Sequence, residues 1–173
     1  MKLNIGAGET YLEEYINIDS AFKVKCDVRA DIKAGLPFKD SSFEQINALH
    51  ILEHIELYNW PNFFTEIYRL LTKDGVLILA YPEFERCANN FISNYRGARE
   101  FWRKTLYGRQ DYPGDYHVVP MRTEEVINYL TNFGFIDVKY TFEADEEWNT
   151  FLTARRGGST KSRVELLRNE IFN

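Results

Sequence analysis

An α/β fold, a parallel sheet with helices on both faces, is what this 173-residue sequence predicts. Three observations predict it. Apolar runs of strand length alternate with stretches of helical periodicity, and no repeat or low-complexity tract interrupts them. The opening run, Lys2-Leu3-Asn4-Ile5, ends in the turn Gly6-Ala7-Gly8-Glu9. The next apolar run, Tyr15-Ile16-Asn17-Ile18, ends in Asp19. Glycines at the end of a first strand let the chain turn sharply and let a ligand approach without a Cβ in the way. A carboxylate at the tip of the second strand is placed to accept both hydroxyls of a ribose.

The spacing narrows the ligand. Gly8 and Asp19 are 11 positions apart, against about 20 in the dinucleotide fingerprint. The third glycine of that fingerprint is missing. The first helix is therefore vestigial, one turn over Thr10 to Glu14. Such a turn offers little helix N-terminus for a pyrophosphate. NAD and FAD are disfavoured, and a cofactor with a ribose but no phosphates is expected.

The remaining elements follow in order. A short third strand near Lys25 to Val28 precedes Asp31 and Ile32. Leu36-Pro37-Phe38 with Asp40-Ser41-Ser42 reads as a loop, and Phe43 to Leu49 as the fourth strand. Phe63, Phe64, Ile67, Leu70 and Leu71 form a helical stripe over Pro61 to Thr72, a core face. Lys73-Asp74-Gly75 is a turn, and Val76 to Tyr81 is a fifth strand stopped by Pro82. Residues 84–122 are the least patterned. A helix is expected over Phe91 to Leu106, then a long loop from Gly108 to His117, rich in glycine, proline and aromatics. Long loops of this kind commonly carry function. Thr123-Glu124-Glu125 caps a helix that ends at Phe133 and Gly134. Ile136 to Phe142 and Trp148 to Ala154 alternate like an antiparallel pair. Ser159 to Phe172 reads as a terminal helix. Residues 84–122 are expected to form the acceptor-side lid of a single domain spanning 1–173.

Composition removes whole classes of function. The apolar share of 45% is that of a globular chain. No apolar run approaches the roughly 20 residues that span a membrane. The N-terminus enters a strand at once, so no signal peptide is expected. Cys26 and Cys87 lack metal or redox spacing and read as free thiols in a reducing cytoplasm. The net charge of −5 disfavours nucleic-acid binding. The charge is uneven: residues 151–173 carry five basic and two acidic residues, +3, which leaves −8 for the rest. That tail reads as the solvated face of a helix, with an acidic partner or a phosphate as the alternative.

The ordered set L-N-I-G-A-G-E, Y-I-N-I-D, D-V-R-A-D-I, L-P-F-K-D-S-S-F-E-Q-I, L-E-H-I and R-L-L-T-K-D-G-V-L resembles a class I S-adenosylmethionine-dependent methyltransferase of the compact kind. The resemblance runs from Lys2 to Tyr81 and continues weakly through Asn132 to Phe135. It implies a Rossmann-like seven-stranded sheet of order 3-2-1-4-5-7-6 with a shortened first helix. It also implies S-adenosylmethionine as cofactor. Gly6, Ala7, Gly8, Asp19 and Ser20 would then hold the sugar end. Asp31 would meet the adenine amine, Ile32 would lie against the ring, and His50 would line the methionine end.

The only histidines are His50, His54 and His117. The first two fall within His50-Ile51-Leu52-Glu53-His54, where the fourth strand gives way to the next element. At helical spacing His50, Glu53 and His54 share a face. His117 ends the long loop expected to fold over the same edge. Two functional readings stay open. In one, His117 or His54 takes a proton from the acceptor, work that suits imidazole near neutral pH. In the other, His50, Glu53, His54 and His117 bind a divalent metal. That set is similar to the Glu-x-x-Glu-His of metal-dependent methyltransferases, with His50 in place of the first Glu, which favours zinc or iron over Mg²⁺. Against both stands a His54 that simply bonds a neighbouring loop. Tyr11, Tyr81, Tyr112 and Tyr116 are candidates to face a cation or an acceptor. No Asn-Pro-Pro-Tyr follows the fourth strand, so a small-molecule oxygen acceptor, sugar-related, is expected rather than a nucleic acid. The rivals are a catalytically silent subunit of the same fold and, less well supported, transfer of a propylamine group.

Overall fold

The computed structural model describes residues 1–142 and 148–158. The expected terminal helix over Ser159 to Phe172 lies outside the described residues. Seven strands form one sheet: β1 (Lys2–Ile5), β2 (Ile16–Asp19), β3 (Val28–Arg29), β4 (Phe43–Leu49), β5 (Leu71–Pro82), β6 (Phe135–Phe142) and β7 (Asn149–Arg156). Their order is β3-β2-β1-β4-β5-β7-β6, as the resemblance implied. β1 to β5 run parallel, and β7 is antiparallel to both β5 and β6. Four α-helices accompany them: α1 (Trp60–Leu70), α2 (Phe84–Ser93), α3 (Arg99–Tyr107) and α4 (Thr123–Phe133). Among the described residues no helix is long and apolar enough to cross a membrane.

Side chains alternate across each strand, so one register assigns both faces. Leu3 and Ile5 share their face with Ile18, Ile46, Ala48, Leu77 and Leu79, all buried. Phe63, Phe64 and Ile67 of α1 and Val126, Leu130 and Phe133 of α4 complete this core. Each large apolar side chain so buried contributes about 1.5–3 kcal/mol.

The opposite register is polar. Asn4 pairs with Asn17 on one side and Asn47 on the other, and all three are buried. Asn4 Nδ2 donates to Asn17 Oδ1 and to the Thr10 carbonyl, both at 3.0 Å. Asn17 donates to the carbonyls of Leu12 and Tyr15, and its Oδ1 accepts the Leu12 N–H. This row explains the missing first helix. The expected turn over Thr10 to Glu14 is not helical. Asparagine side chains bond the Thr10 and Leu12 carbonyls and the Leu12 N–H, beside isolated turn bonds from Thr10 to Ala7 and from Tyr15 to Leu12, so an irregular segment lies over the sheet with these polar groups satisfied.

Other expectations are corrected in detail. The third strand is Val28–Arg29 rather than Lys25 to Val28. The Thr72–Gly75 stretch belongs to β5 as an irregularity: Phe43 pairs with Leu71, but Gln45 pairs with Val76. The single helix expected over Phe91 to Leu106 is two. Asn94 and Arg96 adopt φ of 52° and 55°, which no continuing helix allows. Trp102 is buried and its indole N–H donates to the Tyr95 carbonyl, fixing the break. Thr123 does not cap α4, since its hydroxyl meets that of Thr150 at 3.1 Å.

Candidate active site

The C-terminal ends of the parallel strands open into a cleft of about 950 Å³, large enough for a nucleoside-sized ligand and a small second molecule. One wall is the β1–β2 turn. The N–H groups of Gly6 and Ala7 both donate to the Ile18 carbonyl, at 2.9 and 3.0 Å. Gly6 has φ of 69°, and a Cβ there would come within 1.9 Å of Ile51 Cδ1. Its missing side chain makes room for Ile51, not for a ligand. Gly8 has φ of 50° and meets only the Gly6 carbonyl, at 3.8 Å, so its bare side opens into the cleft.

Asp19 ties the turn to β2. Its Oδ2 accepts the Gly8 N–H at 2.9 Å, and its Oδ1 accepts the Ala21 N–H at 2.7 Å. A carboxylate has about four acceptor positions, so both oxygens keep capacity for a ligand hydroxyl. Asp31 accepts the Lys33 N–H and starts a short 3₁₀ turn over Ile32–Ala34. Gly6, Ala7, Gly8, Asp19, Ser20, Asp31, Ile32 and His50 all line the cleft.

The other end of the cleft is built by the crossing of two segments. His50 closes β4 with φ of 55°, and its N–H donates to the Ala80 carbonyl. That turn abolishes the helical face expected for His50, Glu53 and His54; only Leu52–His54 form a 3₁₀ turn. The loop after α3 is stitched onto this turn. The N–H groups of Val118 and Val119 point at the Glu53 carbonyl, and His54 Nδ1 donates to the Tyr116 carbonyl at 3.0 Å. His117 is thereby set edge-on to His54, with ring centroids 4.9 Å apart.

Glu53 is fully buried between these elements. Its Oε1 lies 3.3 Å from His50 Nδ1, while Oε2 has no hydrogen-bond partner among the described residues. Burial opposes its charge, but the His50 hydrogen bond and the nearby imidazoles outweigh burial and hold the carboxyl below its ordinary range. Burial pushes the His117 imidazole down, and Glu53 only partly offsets it. One donor atom each from Glu53, His54 and His117 lie within 4.8 Å of one another. His50 stands outside that trio, as the partner of Glu53.

Sequence reasoning missed part of the lining. Lys104 of α3, Arg109 and Phe151 of β7 reach the cleft, and Arg109 approaches Glu9 at 3.5 Å across it. No motif announces them, because the fold alone brings them there. Of the four tyrosines considered, Tyr112 and Tyr116 line the cleft. Tyr11 instead donates to Asp27 at 2.7 Å, and Tyr81 is fully buried.

Comparison with known proteins places this geometry. A family model described as a methyltransferase domain matches residues 8–79, from the glycine turn into β5. No curated protein matches the chain. Among solved structures, an S-adenosylmethionine-dependent methyltransferase from Archaeoglobus fulgidus is 16% identical with a TM-score of 0.63, covering 89% of this chain and 85% of its own. One from Methanosarcina mazei is also 16% identical, with a TM-score of 0.62 and coverage of 91% and 92%. The fold is that of the class I S-adenosylmethionine-dependent methyltransferases, and the methyltransferase-domain model spans residues 8–79 of it. A Burkholderia thailandensis 1,6-didemethyltoxoflavin N1-methyltransferase, solved with its substrate and S-adenosylhomocysteine, shares the fold at 13% identity and a TM-score of 0.58, over 91% of this chain and 71% of its own. The cofactor that this fold implies is S-adenosylmethionine. The bare side of Gly8 and the spare acceptor positions of Asp19 fit a sugar with two free hydroxyls and no phosphate.

Proposed function

We propose that this methyltransferase transfers the methyl group to an oxygen of a small, hydroxyl-rich acceptor, with sugars as the acceptor class. In this reading Gly6, Ala7, Gly8, Asp19 and Ser20 hold the ribose end of the cofactor. Asp31 and Ile32 hold the adenine, and His50 lines the methionine end. S-adenosylmethionine supplies an activated methyl on a sulfonium, so the chain's own work is alignment, exclusion of water and removal of one proton.

The observation that supports this reading is the imidazole pair. His54 has Nδ1 anchored on the Tyr116 carbonyl, which leaves Nε2 for chemistry, and His117 sits edge-on beside it. His117, held neutral by burial, is the proton acceptor, with His54 beside it. Residues 84–122 form the acceptor side, where Lys104, Tyr112, Asp115 and Tyr116 offer hydrogen bonds and flat apolar faces together. The net charge of −5 fits a small molecule better than a nucleic acid.

The test is S-adenosylhomocysteine formation across a panel of free sugars, nucleotide sugars and phenols, followed by product mass. His117→Ala should lower turnover by about 10²–10⁴-fold while calorimetry shows S-adenosylhomocysteine binding unchanged. Methylation of nitrogen, or full activity in the variant, overturns the reading. Binding of neither S-adenosylmethionine nor its product points to the silent subunit.

A further inference from the structure

We propose that Glu53, His54 and His117 form a binding site for one divalent transition-metal ion of the zinc, cobalt or iron(II) kind. The site lies at the acceptor end of the cleft. Two features of the trio point to this.

The first is the support of the donors. Metal-ligating histidines commonly give their other ring N–H to a backbone carbonyl, which fixes tautomer and orientation. His54 does so, to Tyr116. The carboxylate repeats the pattern, with Oε1 held by His50 Nδ1. Three side chains from two segments therefore present one donor atom each, two of them on supported groups, and such atoms lie within 4.8 Å of one another.

The second feature is independent. Oε2 of Glu53 is buried and has no hydrogen-bond partner among the described residues. An unmatched buried acceptor is destabilising. A cation beside it removes that cost.

The donor set also selects the ion. Two imidazoles and one carboxylate are the protein ligands of catalytic zinc sites and of the non-haem iron(II) triad, which leave coordination positions open. Mg²⁺ and Ca²⁺ prefer oxygen throughout. Ligand bonds of about 2.0–2.1 Å require the trio to close slightly from its present spread, within reach of side-chain rotation. All three residues line the cleft, so open positions would face the acceptor.

The catalytic meaning of the site rests on the methyltransferase reading; the binding of an ion does not. With an ion bound, both imidazoles would be ligands and the ion would supply acidity to an acceptor hydroxyl; the proton-acceptor role of His117 is that of the metal-free protein.

The experiment uses the full chain without a polyhistidine tag, stripped with a chelator and dialysed. Zn²⁺ is titrated by calorimetry, and Co²⁺ is followed by its visible absorption. One equivalent should bind, with cobalt bands of a four- or five-coordinate nitrogen–oxygen site. His54→Ala and His117→Ala should each weaken binding at least tenfold, and His50→Ala, which removes the support of Glu53, by about tenfold. Glu53 is the most buried member, so Glu53→Gln is read only if it folds; the two histidine variants decide otherwise. Failure of the wild type to bind one equivalent overturns the proposal, as does binding that neither histidine variant weakens. S-adenosylhomocysteine affinity of the stripped protein, measured in parallel, tests the methyltransferase reading separately.

Discussion

At the scale of single residues, Asp19 carries two duties. Its oxygens brace the glycine turn through Gly8 and Ala21, and the same oxygens are proposed to accept ribose hydroxyls. Asp19→Ala should weaken S-adenosylhomocysteine binding by about 1–3 kcal/mol, roughly 5- to 150-fold. Asp19→Asn keeps one acceptor oxygen and should lose less; calorimetry separates the two. Equal affinity in all three proteins would remove Asp19 from the sugar site. The cysteines allow a second residue-level check. Burial raises the Cys87 thiol to about 12, and Cys26 is only half-buried. Iodoacetamide at pH 8 should therefore label one thiol in the native protein and two in denaturant, counted by mass. That Gly6, Gly8, Asp19 and Asp31 would line one cleft was legible in the sequence, because they sit at strand tips, and strand tips follow from apolar runs and glycines. Gly6 shows the limit of that reading. The sequence reads its bare side as room for a ligand, whereas Ile51, 45 positions away in sequence, occupies that space, and only the fold brings the two together.

At the scale of elements, two polar devices replace regular structure. The first is Asn17, whose side chain satisfies backbone groups of Leu12 and Tyr15. Asn17→Leu keeps the volume and leaves several buried polar groups unmatched, each costing about 1–3 kcal/mol. A loss of at least about 3 kcal/mol in urea unfolding is expected, far beyond an ordinary surface change. The second is Arg69 of α1. It bonds Glu66 at 2.6 and 2.8 Å, Asp40 and the Phe38 carbonyl at 2.7 Å, and the Leu36 carbonyl at 3.2 Å, pinning the 36–40 loop to the helix. Burial pushes the Glu66 carboxyl up, but Arg69 and the Leu36 N–H outweigh it, so it stays below its ordinary value of 4.5. A carboxyl lowered on folding stabilises above its unfolded value, and that stability is lost as pH falls through the folded one. The wild type should therefore exceed Glu66→Gln in stability at pH 7, with the gap closing as pH drops below 4.5. A gap independent of pH would show that the charge is not what holds the loop. Neither device was legible beforehand. Asparagine in a strand reads as an interruption of the apolar pattern, and the break after α2 rests on left-handed Asn94, an ordinary helix-ending residue that the apolar periodicity masked, and on left-handed Arg96, which carries no turn signature.

At the scale of the whole molecule, the fold separates two tasks along one cleft. The β1–β2 turn is fixed by β-sheet hydrogen bonds and Asp19. The proposed acceptor end is bounded by the loop after α3, held on itself and on the Glu53 turn. Gly108 begins that loop. Its φ is 82°, and a Cβ there would come within 2.6 Å of the Asp115 carbonyl and of Tyr116 Cα. Gly108→Ala must therefore push the 108–117 loop off its present path, because both obstacles are backbone and cannot rotate away. The displacement moves His117 and the Tyr116 carbonyl that orients His54. It leaves Gly6, Gly8, Asp19 and the asparagine row untouched. The expected result is a loss of acceptor turnover of at least tenfold, with S-adenosylhomocysteine affinity within about threefold of the wild type. Steady-state kinetics and calorimetry on the same preparation give both numbers. A parallel fall in cofactor affinity would mean that the two ends of the cleft are one cooperative unit, and that the loop holds the cofactor as much as the acceptor.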